Sequence, residues 1–212
     1  MIKVACPLCH SLKISLFYQD KRDYYQCSDC SLVFVAEHQW LSQDNEKAMY
    51  DRHNNSPDDA GYRTFLSRLF TPMADHLSPH SHGLDFGSGP GPTLSLMFAE
   101  AGHTMTLYDK FYAPDKQALK QSYDFISSSE VVEHLHQPGE ELERLWSCLK
   151  PGGILGIMTK RVLDKQAFMH WHYKNDPTHI CFFSIASFHW LAARLGAELI
   201  ISGNDVVLLI KK

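Results

Sequence analysis

Three groups of residues in this 212-residue chain have types and spacings that could do chemistry. The first is Cys6, Cys9, Cys27 and Cys30, two Cys-x2-Cys pairs separated by 17 residues. A two-residue spacer turns both sulfurs of a pair toward one point, and two pairs complete the tetrahedron of thiolates that Zn2+ favours. With sulfur at all four positions no place remains for a water, so the metal would be structural. The second group is "LDFGSGPGP", residues 84–92, with Asp85 just before its glycines and Asp109 placed 22 residues after Gly87. Alternating Gly87, Gly89 and Gly91 let the backbone turn sharply and let a ligand come close. The third is "TKRVLDKQAFMHWHYKNDPTHICFFS", residues 159–184, which holds His170, His172 and His179. Imidazoles can exchange protons near neutral pH.

Each group needs elements to position it. Between and after the cysteine pairs, "LKISLFYQ", "RDYYQ" and "SLVFV" read as three strands. Residues 1–36 thus resemble a zinc ribbon, too small to fold on an apolar core alone, so the metal would supply its folding energy. Replacing Cys27 by Ser is expected to unfold this module and leave the rest of the chain folded. Residues 37–81 read as a linker and helical cap. "DRHNNSPDDAG" is a polar loop, and the role of its surroundings, Tyr50, His53 and Asn55, is left open. "YRTFLSRLF" puts Tyr62, Phe65, Leu66, Leu69 and Phe70 at helical spacing, and we read it as a helix covering the core rather than a lid.

The glycine loop lies between a strand, "HGLDF", and a helix, "PTLSLMFAEAG", with Pro92 suited to the first helical position and Gly102 to the residue past the end. "HTMTLYD" follows as a second strand. This is a βαβ unit, and ligands of such sheets bind at the carboxyl ends of the strands. The loop lacks the Lys-Ser/Thr of a P-loop, and Pro92 stands where a dinucleotide fingerprint has its last glycine. Asp85 is awkward beside a pyrophosphate and suited to a cationic ligand. S-adenosylmethionine (SAM) has a sulfonium and an ammonium and no phosphate. Asp109 can accept both of its ribose hydroxyls, as acids at that place do in other nucleoside-binding units.

With these segments the chain resembles the class I SAM-dependent methyltransferases, methyltransferase-23-like, over residues 82–212. "LDFGSGPG" looks like their first motif, "TLYD" like the second strand with its ribose acid, and "YDFISSSEVVEHL" like the fourth-strand motif. "LKPGGILGIMT" resembles their turn and fifth strand. The resemblance implies a Rossmann-like α/β sheet and cofactor contacts from Asp85, Gly87, Ser88, Gly89, Asp109, Ser128 and Glu130. "PGEELERLWSCLK" puts Leu142, Leu145, Trp146 and Leu149 on one helical face, with Lys150 in the last turn. "SIASFHWLAARLG" reads as another helix, and "AELIIS" and "VVLLIK" as a closing antiparallel hairpin. Only 13 residues, 110–122, separate Asp109 from Tyr123. A parallel crossover needs about a dozen or more, so the third strand is reduced or absent and the usual adenine contacts go with it.

"HICFFS" resembles the end of the substrate loop in zinc-bearing sugar C-methyltransferases, where His179 matches the general base. Three residues earlier stands Asp176, near enough in sequence to fix the tautomer of His179. A structural place in a buried turn is the other reading of His179. For Glu133 and His134 a structural role beside the cofactor stands level with catalysis, and Cys148 and Cys181 read as inert buried thiols.

Composition narrows the function. The net charge is −4, and residues 1–60 carry six Lys/Arg against nine Asp/Glu, so a nucleic-acid partner is not expected. No run is long and apolar enough for a membrane span, and the first residues have no secretory h-region, which points to the cytoplasm. The expectation is a SAM-dependent methyltransferase with a structural zinc, acting on a small-molecule acceptor. The alternatives are an RNA base methyltransferase with a zinc module and a non-catalytic SAM-binding or interaction protein. No motif specifies an oligomeric state.

Overall fold

The computed structural model describes residues 5–52 and 56–212. In chain order it has β1 (Ile14–Gln19), β2 (Asp23–Cys27), β3 (Val33–Val35), α1 (Gln43–Tyr50), α2 (Ala60–Ala74), β4 (His82–Phe86), α3 (Thr93–Glu100) and β5 (Thr104–Tyr108). Then come β6 (Tyr123–Ser129), α4 (Pro138–Ser147), β7 (Leu149–Met158), α5 (Lys165–Met169), β8 (Cys181–Phe182), α6 (Ile185–Leu195), β9 (Ala197–Ser202) and β10 (Val206–Lys211). No described helix is long and apolar enough to cross a membrane.

The larger sheet has the order β5-β4-β6-β7-β10-β9. Its first four strands are parallel and β10 runs antiparallel to both β7 and β9, which is the closing hairpin. Strand side chains alternate between faces. Val206 and Leu208 of β10 therefore join Leu66, Leu69 and Met73 of α2 and Phe98 of α3. Val207 and Leu209 join Leu142 and Leu145 of α4 and Phe188 and Leu191 of α6 on the other face. Between β5 and β6 the chain makes a turn bridged from Asp109 to Ala113 and a 3-10 turn, Ala118–Lys120. No strand forms there, and β5 is the sheet edge. Thirteen residues suffice to cross back and no more.

Local chemistry sets the boundaries. Ser184 caps α6 in a reciprocal capping box with Ser187, and Gly196 ends it in the left-handed region (φ 66°). Pro92 is the N-cap of α3, one residue outside the position expected of it. Leu149 and Lys150 are not in α4 as their spacing suggested. They open β7, where Leu149 is buried in register with Tyr123. The carbonyls of the last turn of α4 bond to the Cys148 N–H and end the helix first.

The smaller sheet has the order β1-β2-β3-β8. Three strands are those expected in the cysteine module. The fourth comes from the histidine-rich segment, with Val33 opposite Phe182 and Phe34 opposite Cys181. Aromatic packing follows the same path. Tyr24 lies against Phe168 at 5.0 Å and Phe182 at 5.8 Å. Residues Cys6, Cys27 and Cys30 share one continuous apolar core with Leu145, Leu155 and Phe188 of the larger unit. Gly139 permits the closest approach. Its N–H donates to the Pro7 carbonyl at 3.2 Å, and a Cβ there would lie 2.3 Å from the Leu8 oxygen.

Candidate active site

The glycine loop follows β4, whose parallel register with β5 and β6 aligns Phe86 with Tyr108 and Asp85 with Ser127. Gly87 has φ 79°, its N–H donates to the Tyr108 carbonyl at 2.7 Å, and a Cβ would lie 2.4 Å from Val131 Cγ2. Any larger residue is excluded there on both counts. Gly89 has φ 62° and donates its N–H to Asp109 Oδ2 at 3.0 Å. The other oxygen, Oδ1, accepts the N–H groups of Phe111 at 2.8 Å and Tyr112 at 3.0 Å. Asp109 thus ties the glycine loop to the turn after β5. A carboxylate has about four lone-pair directions. Three are used by the chain's own N–H groups.

Asp85 and Ser128 stand apart from the other expected contacts. Asp85 is buried behind the loop, where its carboxylate accepts from Ser95 Oγ at 2.7 Å and Ser127 Oγ at 3.1 Å. Burial, only partly countered by the two serines, pushes its pKa up to about 6. Ser128 is fully buried with its Oγ unpartnered, and the next two residues, Ser129 and Glu130, reach the wall of the cavity instead. Strand alternation turns Ser129 opposite to Ser128, and Glu130, past the end of β6 with φ 53°, leaves that alternation and reaches the cavity as well.

The cavity measures about 430 Å³ and is lined by Gly87, Ser88, Gly89, Asp109, Glu130 and His179 together. That lies within the range of small-ligand sites, roughly 300–1,000 Å³. The sequence reading missed several walls. Tyr62 and Phe65 of α2 line the cavity, while Leu66, Leu69 and Met73 of the same helix bury against the sheet. The cap is therefore also part of the site; its apolar stripe is wider than core packing alone requires. Glu46 and Tyr50 of α1 line it too, as do Lys110, Phe111 and Tyr112. Glu46 is buried and pairs with Lys110 Nζ at 2.7 Å, and Tyr50 donates to Glu46 Oε1 at 2.8 Å. Tyr50 and Glu46 are i, i+4 neighbours on α1, but Glu46 and Lys110 are 64 residues apart, too distant to be paired by any local pattern. His53 and Asn55 lie outside the described residues.

On another wall stand His134, His179 and Asp176. His134 closes the 3-10 turn Val132–His134 after β6. Its Nδ1 meets the Thr178 carbonyl at 3.1 Å, and Nδ1 of His179 meets the Tyr173 carbonyl at 2.8 Å. A carbonyl only accepts, so each Nδ1 carries the proton and each Nε2 presents a lone pair. The two rings meet edge to face at 4.7 Å. Burial lowers both pKa values, His134 to about 3, and keeps both rings neutral. The tautomer of His179 is set by Tyr173 and not by Asp176, whose Oδ2 is 3.9 Å from Nε2. Asp176 Oδ1 is held by the Thr178 N–H and hydroxyl. Behind the histidines Glu133 is fully buried, and burial followed by the charge of Glu130 pushes its pKa up to about 8. The Tyr173 hydroxyl sits between Glu133 Oε1 and Glu130 Oε2. His170 and His172 do not line the cavity; His172 Nε2 lies 3.1 Å from Lys160 Nζ at the exposed surface.

The sulfurs of Cys6, Cys9, Cys27 and Cys30 lie within 4.8 Å of one another, with Cys6–Cys30 and Cys9–Cys27 at 3.4 Å. A tetrahedron with metal–sulfur bonds of about 2.3 Å has edges of about 3.8 Å, so the donor set and its spacing fit one zinc ion. Cys148 and Cys181 are not among the four clustered sulfurs, and burial raises both thiol pKa values.

A parallel sheet closed by an antiparallel hairpin, with a glycine loop at the end of β4 and an acid at the end of β5, defines a class I SAM-dependent methyltransferase. The chain belongs to the Methyltransf_23 family of methyltransferase domains, whose model matches residues 57–201. No curated protein matches it significantly in sequence. Among solved structures it is similar to the 1,6-didemethyltoxoflavin-N1-methyltransferase of Burkholderia thailandensis, with bound 1,6-didemethyltoxoflavin and S-adenosylhomocysteine. That match has 16% identity over 88% of this chain and 98% of that one, with a TM-score of 0.55. A putative SAM-dependent methyltransferase of Methanococcus maripaludis has 16% identity over 80% and 92%, TM-score 0.53. The magnesium protoporphyrin IX methyltransferase of Synechocystis PCC 6803, with bound S-adenosylhomocysteine, has 12% identity over 80% and 94%, TM-score 0.52. At these identities the likeness is one of fold.

Proposed function

We propose that this methyltransferase acts on a small-molecule acceptor that enters beside His179, and that Cys6, Cys9, Cys27 and Cys30 hold a structural zinc. The observation that carries the reading is a single cavity lined by both the glycine loop and His179. When bound, SAM supplies a methyl group on a positively charged sulfur. Gly87 and Gly89 let the backbone approach it, Asp109 accepts from its ribose, and the buried charge of Asp85 favours a cation nearby. Methyl transfer forms a bond from carbon to the acceptor atom, breaks the carbon–sulfur bond and leaves S-adenosylhomocysteine. The acceptor must also lose a proton when it is a hydroxyl or a protonated amine. The neutral Nε2 of His179, buried and facing the cavity, is placed to orient that group and receive the proton. Tyr62, Phe65 and Tyr50 give the acceptor site apolar walls that suit a compact, partly aromatic metabolite.

The acidic balance of residues 1–60 speaks for a small molecule over RNA. Paired thiolates without a disulfide fit a reducing, cytoplasmic setting. The test is calorimetry with S-adenosylhomocysteine, followed by a screen of metabolite acceptors read by release of the demethylated cofactor. Failure of wild-type protein to bind S-adenosylhomocysteine would overturn the cofactor assignment. Turnover of RNA in preference to every metabolite would overturn the acceptor class.

A further inference from the structure

One cluster at the wall of the cavity holds more acceptors than the protein supplies protons for. Glu133, His134 and His179 each offer a ligand atom, and the three lie within 4.8 Å of one another. Both imidazoles spend their Nδ1 protons on backbone carbonyls, so both Nε2 atoms are bare lone pairs. Glu133 is fully buried, and its Oε2 has no hydrogen-bond partner. Glu130, at the rim, repeats the pattern: Oε2 shares the Tyr173 hydroxyl at 3.1 Å, and Oε1 is buried and unpartnered. One hydroxyl proton cannot serve two carboxylates at once. No lysine or arginine forms an ion pair with either glutamate among the described residues.

We infer that Glu133, His134 and His179, with Glu130 at the edge, form a second metal site that holds a first-row divalent cation facing the methyl-acceptor end of the cavity. A proton on Glu133 would satisfy one of the converging lone pairs; a divalent cation satisfies all three and neutralises the paired carboxylates. Imidazole and carboxylate donors suit Mn2+, Fe2+, Co2+ or Zn2+, whereas an oxygen-only set would suit Mg2+. The second shell is already built. Each histidine donates its far N–H to a carbonyl, which is how ligating imidazoles are usually oriented, and Tyr173 holds the inner carboxylate. Three protein ligands leave open positions, and His134, His179 and Glu130 all face the cavity. The ligand class that fits those positions is an acceptor bearing hydroxyl or phenolic oxygen. Bound to the cation, such an oxygen is more acidic and is fixed in place before methylation. The inference rests on the acceptor end of the cavity proposed above, and it makes His179 Nε2 a ligand rather than the base.

The experiment uses the full-length protein with its cysteine metal in place, verified as one zinc per chain before and after mild chelation. Mn2+ is titrated in, read by the electron paramagnetic resonance signal of free Mn2+ and by calorimetry, with no acceptor present. One site per chain is expected, weakened more than about tenfold in His179→Ala and in Glu133→Gln. Co2+ should add only weak N/O-type absorption, without the intense thiolate bands of a cysteine site. Folding of each variant is checked by its calorimetric affinity for S-adenosylhomocysteine. If wild-type protein binds S-adenosylhomocysteine but takes up neither Mn2+, Co2+ nor Zn2+ at millimolar concentrations, a water bridges the cluster and this inference fails while the methyltransferase reading stands. Binding that survives unchanged in both variants also overturns it. Failure to bind S-adenosylhomocysteine in the wild type defeats the earlier reading instead, whatever the metal result.

Discussion

Asp85 shows how a residue can matter to a ligand it does not touch. Its carboxyl is buried under Ser95 and Ser127 and titrates near 6 rather than 3.8. Between those values the folded protein holds a proton that the unfolded chain has lost, so stability falls as pH rises through that window and is flat above it. The cost at neutral pH is of order 2–3 kcal/mol. Asp85→Asn, which keeps the size and can bond both serines, is therefore expected to raise the melting temperature at pH 7.5 by several degrees and to flatten the acid limb between pH 4 and 6. Its affinity for SAM should fall more than that for S-adenosylhomocysteine, because only the former carries the sulfonium charge. Equal melting temperatures at pH 7.5 would show that the burial cost is met in some other way. Asp109 acts by contact: its carboxylate holds three backbone N–H groups, and in the proposed reading it also meets the cofactor ribose. Asp109→Ala releases the N–H groups of Gly89, Phe111 and Tyr112 besides losing the ribose. Charge-assisted bonds are worth about 1.5–3 kcal/mol each, so S-adenosylhomocysteine should bind at least tenfold more weakly. Unchanged affinity in calorimetry would place the cofactor elsewhere. His179→Ala should keep that affinity and lose turnover once an acceptor is known. Full turnover would remove His179 from the chemistry, whether as base or as ligand.

The hairpin of the cysteine module reaches the His179 wall of the cavity through one arginine. Arg22, in the turn between β1 and β2, donates to the carbonyls of Pro177 at 3.2 Å, His179 at 3.0 Å and Asp176 at 3.0 Å, and also to that of Lys174. Tyr24 adds its hydroxyl to the Lys174 carbonyl at 3.1 Å, and Lys174 pairs with Asp20. A planar guanidinium with five donors can hold several carbonyls in one fixed arrangement, and a lysine ammonium cannot copy it. Arg22→Ala is expected to leave S-adenosylhomocysteine affinity unchanged, to speed amide exchange over residues 174–179 and to lower kcat/KM for the acceptor, with Arg22→Lys rescuing little. Wild-type exchange rates in that segment would refute the clamp. This element also marks the limit of the sequence reading. The two cysteine pairs, the βαβ unit, the closing hairpin and the missing third strand were legible because each is a local pattern with a fixed period or length. Asp109, Gly87 and Glu130 were legible as members of motifs that elements bring to one edge. Leu149 misled because a helical spacing continued for one residue past the capped end of α4. The pairing of β3 with β8, the grip of Arg22 and the Glu46–Lys110 pair join residues far apart in sequence, and no local pattern encodes them. Glu133 and His134 were visible as a motif, but their free lone pairs follow only from where Thr178 and Tyr173 place their carbonyls.

At the scale of the whole molecule the cysteine module and the methyltransferase sheet share one packed core, from which we expect them to unfold together. The expectation that Cys27→Ser would unfold the module alone assumed a boundary near residue 36. Across that boundary run the β3–β8 pairing, the contact of Pro7 and Leu8 with Gly139, and a core in which Cys6, Tyr24 and Phe34 pack with Phe168, Phe182 and Phe188. A structural zinc of this kind contributes roughly 10–16 kcal/mol of apparent binding free energy in isolated fingers, comparable to the whole stability of a domain, about 5–15 kcal/mol. Removing the proposed ion leaves three buried thiols and the half-buried Cys9 close together and frees the hairpin that carries Arg22. Phe168 and Phe182 then lose one wall, and burial of such side chains is worth about 1.5–3 kcal/mol each. Strong chelation, or Cys27→Ser, is therefore expected to destabilise both parts together. Scanning calorimetry should show one cooperative transition at a markedly lower temperature, and near-UV signals from Trp171 and Tyr173 on the histidine segment should change before heating. Two separate transitions, with the upper one unmoved from the wild type and its S-adenosylhomocysteine binding intact, would restore the two-unit picture. The coupling has a functional corollary that the same samples can measure. With the proposed zinc holding the hairpin, the hairpin holding residues 174–179, and those residues carrying His179, zinc loss is predicted to weaken acceptor turnover at temperatures where the sheet is still folded and the cofactor still bound.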